Sequence, residues 1–154
     1  MTSSSSPQAS SPHPTDGVEC TLVEVNGSPF FRISNYDRIP PFFMTMVSDS
    51  DHWLFLSSTG GLTAGRGTPD RALFPYYTDD RIHDSGETTG SETLLRVRRG
   101  SETHLWQPFG SRQEAIPRTV RNIEKSVYGN AVRYEEVNHD LGLTFRYTWM
   151  SSER

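Results

Sequence analysis

The chain has 154 residues, a single cysteine and a formal net charge of −4, which is the length of one ordinary domain. The acidic balance argues against a general nucleic-acid surface, which needs a basic footprint, and the lone Cys20 excludes an internal disulfide and gives no zinc pattern. Hydrophobic residues make up 33%, below the usual share of roughly 45–50% even with glycine added, so the core is either thin or completed from outside this chain.

The first 17 residues, MTSSSSPQASSPHPTDG, are rich in Ser and Pro and nearly devoid of apolar side chains. They cannot offset their own ordering entropy and are expected to form a disordered tail over 1–17, with the folded domain over 18–154. The tail has no basic start followed by an apolar run, so it is not a secretory signal. No apolar run in the chain approaches a membrane span. Together with the free thiol, this points to the cytoplasm and to no membrane partner.

Strand signals follow. VECTLVEV, ending at Val25, alternates and is β-branched; Asn26-Gly27-Ser28-Pro29 is a turn signal, and Phe30 to Ile33 resumes strand character. The two runs read as a hairpin. PPFFMTMVS and HWLFLSS give two further short strands. In the second, Trp53 and Phe55 share one face and Leu54 and Leu56 the other, which predicts cover on both sides.

Between Gly60 and Glu92 most of the chain shows neither helical nor strand period. A structureless stretch of that length inside a domain is uncommon and usually functional. It opens with a glycine run, SSTGGLTAGRGTPD, whose Gly60–Gly67 part reads G-x-x-x-x-G-R-G. A P-loop would need Lys and Ser or Thr where Arg66 and Gly67 stand, and a helix afterwards. Thr68-Pro69-Asp70 and then Pro75 follow instead. The glycines are therefore expected to serve close backbone approach or positive φ in a loop at the sandwich edge.

TLLRVRRG resumes strand pattern with Leu95 and Val97 on one face, and THLWQPFG follows Gly100-Ser101. A turn or two of helix is the most that Arg112–Ala115 allows. NIEKSVYGNAVRYEEV leads to a turn at Asn138–Gly142. LGLTFRYTW then sets Leu141, Leu143, Phe145, Tyr147 and Trp149 on one face of a half-buried antiparallel strand. Short strands joined by turn residues define an all-β antiparallel sandwich or barrel.

ISNYDRIPPFFMTMVSD, WLFLSSTGGLTAGR, LFPYYTDDRIHD and KSVYGNAVRYEEVNHDLGLTFRYTW occur in that order. Over roughly Pro29 to Trp149 they resemble the N-terminal β-sandwich of the cellobiose-phosphorylase-like enzymes (glycoside hydrolase family 94 type), a group that includes cyclic glucan synthases. The resemblance implies a supersandwich of the galactose-mutarotase-like kind, incomplete at its C-terminus. It also implies a missing (α/α)₆ barrel that carries the general acid and uses inorganic phosphate as co-substrate, with no cofactor. No position here matches the family's catalytic motif, so no catalytic residue is carried over. On this reading the chain is a non-catalytic sandwich that packs on the barrel and lends loops to sugar binding or to a homodimer contact. The alternatives are a stand-alone carbohydrate-binding module and a mutarotase-like epimerase, which would need an acid–base pair that the sequence does not identify.

Candidate sugar-binding residues are Tyr76, Tyr77, Asp79, Asp80 and His83, where aromatic rings and planar polar groups sit together, and, elsewhere in the chain, Arg66 and Trp106. The competing reading of Tyr76–Asp84 is a solvated loop whose charges pair locally. Asp79, Asp80, His83 and Asp84 could supply metal ligands, but a hard cation needs six or more oxygens placed by the fold; no metal is expected. The neighbouring acids Glu135 and Glu136 do not establish a glycosidase pair, since neighbours in a strand face opposite ways; they read as exposed strand or hairpin residues. Trp53 and Trp149 read as core. Cys20 has no obvious base nearby, and no G-x-S-x-G elbow occurs. The face from Leu141 to Trp149 is expected to need a partner layer, and its strand an onward neighbour in the sheet.

Overall fold

A computed structural model describes residues 17–48, 50–72, 92–110 and 119–151. Residues 1–16 of the N-terminal tail, the Tyr76–His83 cluster and the Arg112–Ala115 turn lie outside the described residues. Within them the chain is all-β and antiparallel throughout. The strands are β1 (Glu19–Val25), β2 (Ser28–Ser34), β3 (Phe43–Val47), β4 (His52–Ser57), β5 (Leu62–Arg66), β6 (Leu95–Arg99), β7 (Glu102–Trp106), β8 (Thr119–Ser126), β9 (Ala131–Asn138) and β10 (Leu143–Met150). They form a five-stranded sheet in the order β1-β2-β8-β9-β10, a three-stranded sheet β3-β4-β5 and the hairpin β6-β7. No described helix is long and apolar enough to cross a membrane.

The β1-β2 hairpin closes through Asn26 and Gly27, both at positive φ, with Val25 opposite Ser28. Such a two-residue turn matches the twist of the flanking strands. NIEKSVYGNAVRYEEV divides into β8 and β9 around Val127–Asn130. Register then fixes the faces. Ile33 lies opposite Ile123, Ile123 opposite Tyr134, and Tyr134 opposite Tyr147. These residues share the inner face, and β3-β4-β5 covers it with Met44, Met46, Leu56 and Leu62. Tyr134 ties the layers together: its hydroxyl donates to the carbonyl of Ser57 at 2.8 Å. Its ring stacks on Tyr147 at 4.8 Å and 13°.

The aromatic face of β10 has its partner layer. Tyr147 and Trp149 pack against the core cluster, while Leu143 remains partly exposed. β1 and β10 are the two edges of the five-stranded sheet. At the β1 edge the inner face outruns its cover: Leu22 and Phe31, directly opposite each other, are 64% and 58% exposed.

The glycine run departs from the loop expected there. Leu62–Arg66 is a strand, paired with β4 along its whole length. Low β-propensity hides it in the sequence, and pairing with the apolar β4 overrides that propensity. The physical reason given for the glycines holds. Gly60 and Gly67 bracket the strand at φ 91° and 67°. A Cβ on Gly65 would sit 2.4 Å from the Trp53 ring and 3.0 Å from the Ala72 backbone. Gly65→Ala is therefore expected to lower stability by about 1–3 kcal/mol through overpacking, read from the urea midpoint. In a Trp53→Leu background the penalty should shrink; an unchanged penalty would show that the indole is not the obstacle.

Candidate functional site

The inner face ends in a charge. Arg121, Glu136 and Phe145 lie opposite one another on β8, β9 and β10. The Glu136 side chain is fully buried, and three donors converge on it. Trp106 Nε1–H donates to Oε1 at 2.8 Å. The Phe109 backbone N–H and the Arg121 guanidinium Nε–H donate to Oε2 at 2.7 and 2.8 Å. Arg121 also donates to the carbonyl of Gly110 at 3.0 Å. One carboxylate thus locks the Gln107–Gly110 turn and the end of β7 onto the large sheet.

The locked turn is strained. Phe109 has φ 63°, which non-glycine residues seldom adopt. Its ring meets Tyr134, Phe145 and Tyr147 edge-on at 6.1, 6.2 and 5.4 Å. Beside it opens a cleft of about 210 Å³. Phe109 and Arg121 line it together with Ser58 and Thr59 from the turn after β4, and with Tyr36, Asp37, Ile39 and Pro41. Tyr36 and Asp37 are placed by a single 3₁₀ turn, Tyr36–Arg38. Burial, reinforced by Tyr147, pushes the Tyr36 phenol far above its ordinary range. Burial does the same to Tyr147 and, with its tyrosine neighbours, to Tyr134. These phenols stay protonated at neutral pH. The cleft can present hydrogen-bond donors, acceptors and apolar walls.

The outer face of the same sheet carries two charge rows. Glu124, fully buried, pairs with Arg32 on β2 and Arg133 on β9. Arg32 Nε–H donates to Oε1 at 2.7 Å, whereas the Arg133 contact with Oε2 is an ion pair without an aligned hydrogen bond. In the next row Asn122 Nδ2–H donates to Glu135 Oε1 at 2.7 Å, and Arg146 pairs with Oε2. Glu135 and Glu136 are strand residues but not exposed ones, being 4% and 0% accessible. Neighbours that face opposite ways have each found a cation across the sheet.

Burial by itself would raise the Glu135 carboxyl. The hydrogen bonds from Asn122 and Arg146 and the charges of Arg146 and Arg32 outweigh it, and its pKa falls below the ordinary 4.5. A carboxyl depressed on folding contributes stability that is present above its unfolded pKa and lost as pH falls through the folded value. The chain should accordingly lose stability as pH drops below about 4.5. Glu135→Gln should flatten that acid limb in urea titrations at successive pH values, and an unchanged limb would rule out the Glu135 contribution.

Of the residues proposed from sequence, Arg66 is the exposed last residue of β5, opposite His52. Trp106 is buried at 1% exposure, its ring edge-on to Phe145 at 6.4 Å, with neither face open to solvent. Tyr76, Tyr77, Asp79, Asp80 and His83 lie outside the described residues. Among the described residues no three His, Cys, Asp or Glu side chains are grouped as metal ligands would be. Tyr36, Asp37, Phe109 and Arg121 carry no common signal in the sequence; they come from distant parts of the chain, and only the tertiary fold brings two turns and the β8 face to one cleft. Compared with known proteins, the chain matches no family model and no curated sequence.

Proposed function

We propose that this chain is a non-catalytic β-sandwich of a carbohydrate-active enzyme of the glycoside-phosphorylase type. It supports an (α/α)₆ catalytic barrel and contributes surface to sugar binding. The all-β antiparallel architecture is compatible with that role, and the resemblance of its four segments supplies the class.

One observation carries the non-catalytic part. Among the described residues, the buried carboxylates Glu124, Glu135 and Glu136 are committed. Glu136 accepts three hydrogen bonds, one from a guanidinium. Glu124 pairs with two arginines. Glu135 is held below the ordinary carboxyl range. A general acid in glycoside cleavage needs a carboxyl free to reach the leaving oxygen, and these three are already engaged by donors within the sheet. The exposed apolar pair Leu22 and Phe31 at the β1 edge favours a contact with the barrel or with a second copy.

Two measurements test the reading. The purified chain incubated with cellobiose and inorganic phosphate should release no sugar phosphate above background. Turnover abolished by replacing one of its own acids would overturn the proposal. The coding sequence after the Arg154 codon should continue into several hundred residues of helical period. A stop codon there would favour the second reading, a stand-alone carbohydrate-binding module, for which the cleft beside Phe109 is the supporting feature.

A further inference from the structure

We propose that the cleft between Tyr36 and Phe109 is a subsite for a single neutral pyranose ring. This rests on the carbohydrate reading above and gives it a place on the molecule. The cleft is small: about 210 Å³, against the roughly 300–1,000 Å³ of pockets that enclose a drug-sized ligand. It takes one ring rather than a chain.

Its lining has two chemistries. Phe109, Ile39 and Pro41 provide apolar surface for the C–H face of a ring. Thr59, Asp37 and Arg121 provide hydroxyl, carboxylate and guanidinium groups for ring hydroxyls. The charge balance selects against anions. Arg121 spends its charge on the fully buried Glu136 at 2.8 Å, and Asp37 adds a negative group. A phosphate or nucleotide would meet no uncompensated cation among the described lining residues.

The backbone of Phe109 is an independent observation. Its φ of 63° is a conformation that glycine adopts without cost and an aromatic residue does not. The conformation is enforced by the N–H bond to Glu136 and by three edge-on ring contacts. Strained residues of this kind persist where the surroundings over-determine them, and they concentrate at ligand clamps. Glycine would satisfy the turn. What it would lack is the ring, which both packs against the core and walls the cleft.

The test is a two-dimensional amide NMR titration of the full chain with methyl β-glucopyranoside, methyl β-galactopyranoside, cellobiose and inorganic phosphate. At least one sugar should shift the amides of Tyr36, Thr59, Phe109 and Arg121 in the millimolar range, and phosphate should not. Asp37→Asn, an exposed position, should keep the fold and weaken sugar binding about tenfold, as expected for a lost hydrogen bond to a charged acceptor. Phe109→Gly should abolish binding; were it to unfold the chain, Asp37→Asn decides. Sugar-induced shifts confined to other residues would overturn the subsite and leave the carbohydrate reading standing. Phosphate shifts at the cleft would overturn the neutral ligand. No shift with any sugar would overturn the subsite as well, while the phosphorylase-type reading is settled separately by the coding sequence.

Discussion

Glu136→Ala is expected to cost about 3–5 kcal/mol of unfolding free energy, the usual cost of breaking a buried ion pair by removing one partner. Domains of this size have only about 5–15 kcal/mol in total, so the loss is a large fraction of the stability. Three donors lose their acceptor together: the Trp106 indole, the Phe109 amide and the Arg121 guanidinium. The guanidinium is the most serious of these: it borders the cleft and is only about one-fifth exposed, so water replaces the carboxylate only in part. Glu136→Gln should cost less. It keeps one acceptor oxygen but turns an amide donor towards groups that also donate. Urea unfolding followed by far-ultraviolet circular dichroism would measure both, with a lowered midpoint at unchanged slope. A loss under about 1 kcal/mol for the alanine variant would contradict the role of Glu136 as a hub.

Trp106→Ala should cost a similar amount, about 3–5 kcal/mol, because it removes a buried indole and leaves a cavity. Trp106→Phe keeps most of the apolar volume and loses only the N–H bond to Glu136, for about 1–3 kcal/mol. The two sites share a partner, so Trp106→Phe combined with Glu136→Gln should be less damaging than the sum of the single changes. The same variant separates packing from recognition. If the ring is core, as its 1% exposure indicates, Trp106→Phe should leave sugar affinity unchanged. A large loss of affinity in a stably folded Trp106→Phe protein would restore the indole as a ligand platform.

The parts of this fold that were legible in the sequence are those specified locally. Asn26-Gly27 between two alternating runs carries its own hairpin geometry, and β10 displays its inner and outer faces in its alternation. β5 escaped because its glycines answer to a neighbour: Gly65 is small on account of Trp53, twelve positions earlier, a constraint that composition presents as looseness. Glu135 and Glu136 were misjudged as exposed for a related reason. An acid in a strand is buried at tolerable cost only when a cation lies opposite. Arg121 and Arg146 become opposite only once β8, β9 and β10 are in register. The cleft is assembled at still longer range, from a turn after β2, the turn after β4, the turn after β7 and the face of β8. A single sequence offers no signal for that convergence.

The place of β2 in the large sheet has a kinetic consequence. Its partner on one side is β1, next in the chain, but on the other it is β8, and the Arg32–Glu124 bond that joins them spans 92 positions. During synthesis at about 5–20 residues per second, the first hairpin therefore waits roughly 5–20 s for the strand that completes it. Throughout that interval Ile33 has no Ile123 beside it, and one long edge of β2 offers its backbone to any passing strand. Pairings of such high contact order form slowly even once the whole chain is available. The nascent hairpin thus carries an unpaired edge throughout that interval, a template for misassembly until β8 arrives.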